Sequence, residues 1–249
     1  MRSFASFVQG ADNALARIRA RNGWPFECNG VATAPPPQSA KIDPADILLR
    51  HDGCPETHIN HTSLLDTIRH LDGRPAVILE TGSSAWGTNS TCLWDAYVQE
   101  FGGRLWSVDL RRTPSRQLRG KLSPATTLVA DDSVAFLERW ARNHRGEAIS
   151  LVYLDSWDLD AQSPMPASLH CLREYEAIRP FLRGGALLLV DDTPGSEEWL
   201  ATSLRDEAII YRETTGLWPG KGMLLDLMLA QHPRVTKLHH RYQILYRFD

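Results

Sequence analysis

Five apolar, β-prone runs, each stopping on an acidic residue, constrain this chain more than any other feature. They are AVILE (76–80), RLWSVD (104–109), TTLVAD (126–131), SLVYLD (150–155) and ALLLVD (186–191). Helix-like segments separate them, at Thr88–Phe101, near Ser115–Lys121, at Ser133–Asn143 and at Ser168–Leu182. Strands alternating with helices imply a mostly parallel sheet covered on both faces. Runs such as Leu151–Leu154 accordingly lack the polar alternation of a strand with one wet face. Further on, MLLDLMLA (223–230) and LHHRYQILYRF (238–248) are joined by a short turn around His232-Pro233 and read as antiparallel neighbours. The expected class is α/β, a doubly wound sheet of five parallel strands with a C-terminal antiparallel hairpin.

Residues 1–73 read differently, as a helical and irregular N-terminal extension to a domain spanning 74–249. Phe4, Phe7, Val8, Ala11, Leu15 and Ile18 recur at helical spacing up to Asn22-Gly23. The stretch from Trp24 to about Ala45, with Pro35-Pro36-Pro37, reads as an arm or loop. A second helix is predicted over Thr62–Leu71, with Leu64, Leu65, Ile68 and Leu71 on one face. With 27 basic and 30 acidic residues and a net charge of −3, the composition argues against nucleic acid, whose binders usually carry a basic surface. Arg111, Arg112, Arg116 and Arg119 read as a solvated face. No apolar run reaches the roughly 18 residues of a membrane helix, and MRSFASFVQG is too polar for a signal peptide. Cys28, Cys54, Cys92 and Cys171 have neither metal nor disulfide spacing. A cytoplasmic protein with reduced thiols, binding neither membrane nor nucleic acid, is expected.

The acidic strand ends point to a ligand, because open α/β sheets bind outside the carboxyl ends of their strands. Aspartate is also a common helix N-cap, and Asp131 or Asp132 can serve so ahead of Ser133. Five acids on one rim favour a ligand-lined edge. After the first run comes ETGSSAWGTNS (80–90), where Gly82 permits a tight turn. Only Gly82 and Gly87 are present, so this is not the G-x-G-x-x-G of a dinucleotide site, and no Walker lysine follows. Asp109, about thirty residues on, can accept hydrogen bonds from both ribose hydroxyls. Adenosine without a pyrophosphate is the best reading of this pair.

With these residues in view, 74–249 resembles the class I S-adenosylmethionine-dependent methyltransferases, which have a Rossmann-like fold. The E-T-G-S-S turn stands at the family's acidic-x-G-x-G motif, with Ser84 in place of the second glycine, and Asp109 stands at its ribose-binding acid. The resemblance implies S-adenosylmethionine contacts from Glu80, Gly82, Ser83, Ser84, Asp109 and Asp155, with Asp131, Asp132 and Ser133 near the adenine. LDSWD and LLVDDTPG look like segments of the metal-dependent O-methyltransferases of catechol and macrolide-sugar type. That likeness makes Asp155, Asp191 and Asp192 expected ligands of Mg²⁺ or another divalent cation. Clustered carboxylates repel one another, and a hard oxygen-seeking cation would relieve this; alternatively one of the pair caps a loop while Asp155 only touches the cofactor.

In that subgroup a lysine or histidine base follows the first metal aspartate by three residues; here the position is Asp158. Asp155 and Asp158 are therefore the catalytic candidates, with Asp158 a base, a further ligand or a solvent-exposed acid. Trp157 either flanks the acceptor pocket or packs. The implied activity is methyl transfer to a hydroxyl of a small molecule, with the N-terminal extension covering the acceptor site or joining a homodimer. Rival readings are a metal-independent methyltransferase using His58, His61 or Asp158 as base, a nicotinamide-dependent dehydrogenase disfavoured by the missing glycines, and a non-catalytic binding protein. His58 and His61 of H-I-N-H read as a polar loop or as site residues. Lys221 of P-G-K-G reads as a turn residue or as one closing over the pocket. His239-His240 should point to opposite faces.

Overall fold

The apolar runs do fold as strands, and the computed structural model describes residues 42–84 and 87–249. The predicted helix from Phe4 to Asn22, most of the proline-bearing arm, Cys28 and Ala85-Trp86 lie outside the described residues. In chain order the elements begin with helices α1 (Ala45–Leu49) and α2 (His61–Leu71). Then come β1 (Ala76–Thr81), α3 (Ser90–Phe101), β2 (Gly103–Asp109), α4 (Arg112–Leu118) and β3 (Thr126–Ala130). They continue with α5 (Ser133–Asn143), β4 (Leu151–Leu154), α6 (Met165–Ile178) and β5 (Ala186–Val190). The chain closes with α7 (Arg205–Thr215), α8 (Met223–Leu229), β6 (Val235–His240) and β7 (Ile244–Phe248).

The sheet order is β3-β2-β1-β4-β5-β7-β6. The first five strands pair in parallel, β7 runs antiparallel to β5, and β6 antiparallel to β7. This is the expected Rossmann-like α/β fold with its terminal hairpin. Alternate residues of each strand feed two separate cores. Leu79, Val152, Leu154, Leu188 and Val190 face Phe136, Trp140, Tyr175 and Ile178 of α5 and α6. Ile78, Leu151, Tyr153, Leu187 and Leu189 face Leu64, Ile68, Leu93, Trp94 and Tyr97 of α2 and α3. Burial on both faces is why these strands read as unbroken apolar runs. Ile47, Leu48 and Leu71 lie in the second core too, so packing carries the domain back through α1 and α2 rather than starting it at residue 74.

The hairpin differs from the expected one. MLLDLML is a helix, not a strand, and both strands come from 235–248, with Arg241 donating its N–H to the carbonyl of Gln243 at the turn. An apolar run of this length fits either period. Helical packing prevails because Met223, Leu225 and Leu229 are buried while Leu227 is 55% exposed, and the Leu224 N–H is held by Ser168 Oγ of α6 at 2.9 Å. His239 and His240 do diverge, toward Asp66 of α2 and Asp226 of α8.

A strand would put Leu225 and Leu227 on one face. The helix predicts instead that Leu225→Ala costs about 2–5 kcal/mol and Leu227→Ala within about 0.5 kcal/mol, measured by denaturant unfolding.

Candidate active site

Strand order reverses between β1 and β4, and their carboxyl ends meet there at one backbone contact. Gly82 leaves β1 with φ +85, and its N–H is held by Val108 O at 2.8 Å. The Asp155 N–H bonds Thr81 O at 2.9 Å. A Cβ on residue 82 would lie 2.2 Å from the Asp155 carbonyl oxygen, so only glycine fits. The turn therefore abuts the end of β4, with the end of β2 beside it.

The acidic ends have found partners within the protein. Glu80 is fully buried and acts as an internal staple. Its oxygens accept from Ser90 Oγ (2.6 Å), Thr91 Oγ1 (2.6 Å) and Ser107 Oγ (2.5 Å), tying the start of α3 to β1 and β2. Thr91 Oγ1 in turn receives the Ser84 N–H at 2.9 Å, and Ser83 Oγ lies 2.7 Å from Ser107 Oγ. The two serines of the turn are thus braced by the same hydroxyl cluster. Asp109, at the end of β2, accepts the Arg111 N–H at 2.6 Å and its guanidinium at 3.2 and 3.3 Å. The Arg111 side chain is 59% exposed while that of Asp109 is buried. Asp131 pairs with Arg139 of α5, and Asp132 caps that helix by accepting the Ala135 N–H at 2.8 Å. Ser133 Oγ lies 2.9 Å from His170 Nε2, which is 3.4 Å from Glu174 Oε1. Against its burial, Glu174 is held below the usual carboxylate range by His170, with help from Ser133 and Ser156. Trp157, 40% exposed, sets its ring 5.1 Å from that of His170 at the mouth of this recess.

Asp155 and Asp192 converge on one cation, Lys221. Its Nζ lies 2.5 Å from Asp155 Oδ1 and 2.8 Å from Asp192 Oδ2, and the side chain is only 4% exposed. Burial alone would lower Lys221, but Asp155, Asp192 and Asp191 raise it well above its ordinary value, so it stays an ammonium. Burial pushes the Asp155 carboxyl well up against the pull of Lys221. Asp192, with φ 43, also accepts Tyr242 OH at 2.5 Å. Asp191 is turned elsewhere and satisfied by Tyr153 OH (2.9 Å), Gln243 Nε2 (2.9 Å), the Asp192 N–H (2.9 Å) and Asn60 Nδ2 (3.3 Å).

A hard divalent cation needs oxygens aimed at a common point. Here two of the three expected ligands are aimed at an ammonium, and the third has both oxygens committed to neutral donors. No group of three or more His, Cys, Asp or Glu side chains able to hold a metal occurs among the described residues. The expected Mg²⁺ site at Asp155, Asp191 and Asp192 does not fit this arrangement.

Of H-I-N-H, it is Asn60 that touches the acidic cluster. His61 Nδ1 lies 2.8 Å from Cys54 O. His58 is half-buried and close enough to feel Asp191; burial lowers it, so it is neutral near pH 7. Its Nδ1 receives the Asn60 N–H at 3.2 Å, leaving Nε2 to carry the ring proton. Asp158 is exposed, and its charge is felt by Arg111. The partners the sequence reading missed are Asn60, Tyr153, His170, Tyr242 and Gln243. The last two lie in the hairpin turn that the misplaced strand concealed.

No family model and no curated protein sequence matches the chain. Solved structures similar in fold include the O-methyltransferase from Bacillus cereus in complex with SAH (16% identity over 84% of this chain and 92% of that one, TM-score 0.45). Another is CalS11, a calicheamicin methyltransferase (14% identity over 87% and 99%, TM-score 0.46). No helix among the described residues is long and apolar enough to cross a membrane.

Glu80 supplies a pH signature of the turn. Burial raises its carboxyl from 4.5 to about 7, against the Ser107, Ser90 and Thr91 hydroxyls. The folded chain holds this proton more tightly than the unfolded one. Its stabilisation is therefore complete below pH 4.5 and is lost as pH rises through about 7. Relative to Glu80→Gln, the native protein should lose on the order of 3 kcal/mol of unfolding free energy across that window, measured by urea titrations at stepped pH.

Proposed function

We propose that the chain is an S-adenosylmethionine-dependent O-methyltransferase that methylates a hydroxyl of a small molecule. The observation that carries the reading is the glycine turn at the strand-order reversal, flanked by Asp109 at the end of β2 and Asp155 at the end of β4. Asp109 would hold the ribose after Arg111 moves aside. The turn at Gly82-Ser83-Ser84 would offer backbone to the amino-acid end, and Ser133 with Trp157 would border the adenine. When bound, the cofactor would supply an electrophilic methyl to the acceptor oxygen, with loss of its carbon–sulfur bond and release of S-adenosylhomocysteine.

The acceptor's proton needs a base. Asp155 is our assignment, because burial makes its carboxylate more basic than usual and it stands at the rim. Asp158 is exposed, and His58 presents a donor rather than an acceptor. The remaining acceleration would come from holding the acceptor in line and from fixed charge around it. A cytoplasmic location fits the thiols, and a small acceptor fits the net charge of −3, which disfavours a polyanion. Within the described part of the predicted extension, His58 and Asn60 would contribute to acceptor choice.

Calorimetry with S-adenosylhomocysteine tests the reading. The native chain should bind it, and Asp109→Asn should weaken binding by about 10- to 100-fold, the worth of hydrogen bonds to a charged group. Absence of binding by the native chain would overturn the assignment.

A further inference from the structure

We infer that Lys221 is the built-in cation of the acceptor site, so that this chain handles its substrate oxygen without a divalent metal. The inference rests on the methyltransferase reading and deepens it.

Lys221 is not a surface lysine resting on a convenient acid. Its loop is strapped to the segment carrying the acids: the Lys221 N–H bonds Asp192 O at 2.9 Å, and the Gly222 N–H bonds Thr193 Oγ1 at 2.9 Å. A Cβ at Gly220 would lie 2.9 Å from Thr193 Cα, and one at Gly222 2.9 Å from Thr193 Oγ1. The glycines on either side of Lys221 thus allow a close approach that fixes where the ammonium arrives. Tyr242 holds Asp192 from the other side, which aims Oδ2 at Nζ. Asp191 is satisfied by neutral donors, so only two carboxylates need a positive neighbour.

An ammonium carries three N–H groups. Two are spent on Asp155 and Asp192, and no other partner of Nζ occurs among the described residues. The Asp155 and Asp192 side chains are each 21% exposed, so the triad borders the cleft although Lys221 itself is covered. A hydroxyl arriving there would accept the third N–H and give its proton to Asp155. Its oxygen would then face the methyl carbon, with developing charge held by Lys221. No electron-transfer step and no further reactant is needed.

Magnesium chloride alone, titrated calorimetrically and in thermal melts of the full chain, tests this. The native protein should give no binding heat and no magnesium-dependent rise in melting temperature at millimolar concentrations. Lys221→Ala unmasks two facing carboxylates and should bind magnesium at least about tenfold more tightly than the native chain. Lys221→Met keeps the buried stem and removes only the charge, so it serves if the alanine variant does not fold. Lys221→Arg should remain indifferent to magnesium. Magnesium binding by the native protein, or variants no more responsive to it than the native chain, would overturn the inference. S-adenosylhomocysteine binding by the native chain, run in parallel, reports on the methyltransferase reading separately.

Discussion

The molecule turns on a contact with no side chain on one of its two sides, the backbone of Gly82 against the carbonyl of Asp155. Parallel strands that diverge from a reversal point leave a crevice between them, and whatever crosses it must be thin. Glycine lets β1 leave the sheet flush with the end of β4, which brings the ends of β1, β2 and β4 together. The two cores hold those strands rigidly from either face, so the geometry of the crevice is inherited from packing remote from it.

The rim is also an exercise in charge management. Carboxylates in low-dielectric surroundings are costly unless bonded, and here each solves the problem differently. Glu80 keeps its proton longer and takes three hydroxyls; Asp109 takes a solvent-facing arginine; Asp131 and Asp132 are spent on α5. Asp191 is satisfied without any cation, by a tyrosine, two amides and a backbone N–H. The partners differ in exposure. The Arg111 side chain is 59% exposed, whereas Ser90, Thr91 and Ser107, which hold Glu80, are fully buried.

The fold was largely legible because β-propensity, apolar period and helix spacing agreed in the parallel half. It was illegible where they conflict: MLLDLMLA suits either a strand or a helix, and only the Ser168 contact and the exposure of Leu227 decide. That misplacement hid Tyr242 and Gln243 inside a supposed strand. The acidic strand ends were readable as a cluster, but not their partners. Lys221 stands 66 residues from Asp155, and its role depends on a loop bend that local pattern does not encode. Asp132 as a helix cap, by contrast, follows from local spacing alone.

The strap that carries Lys221 has a further consequence. A dissociable ion fills its site to a degree set by its concentration and affinity. A tethered ammonium faces no such mass-action limit, because its effective concentration is a property of the chain. Folding of the Gly220–Gly222 bend and delivery of the ammonium to Asp155 and Asp192 are thus one event. Every folded copy carries the same charge at this point, whatever the ionic supply around it.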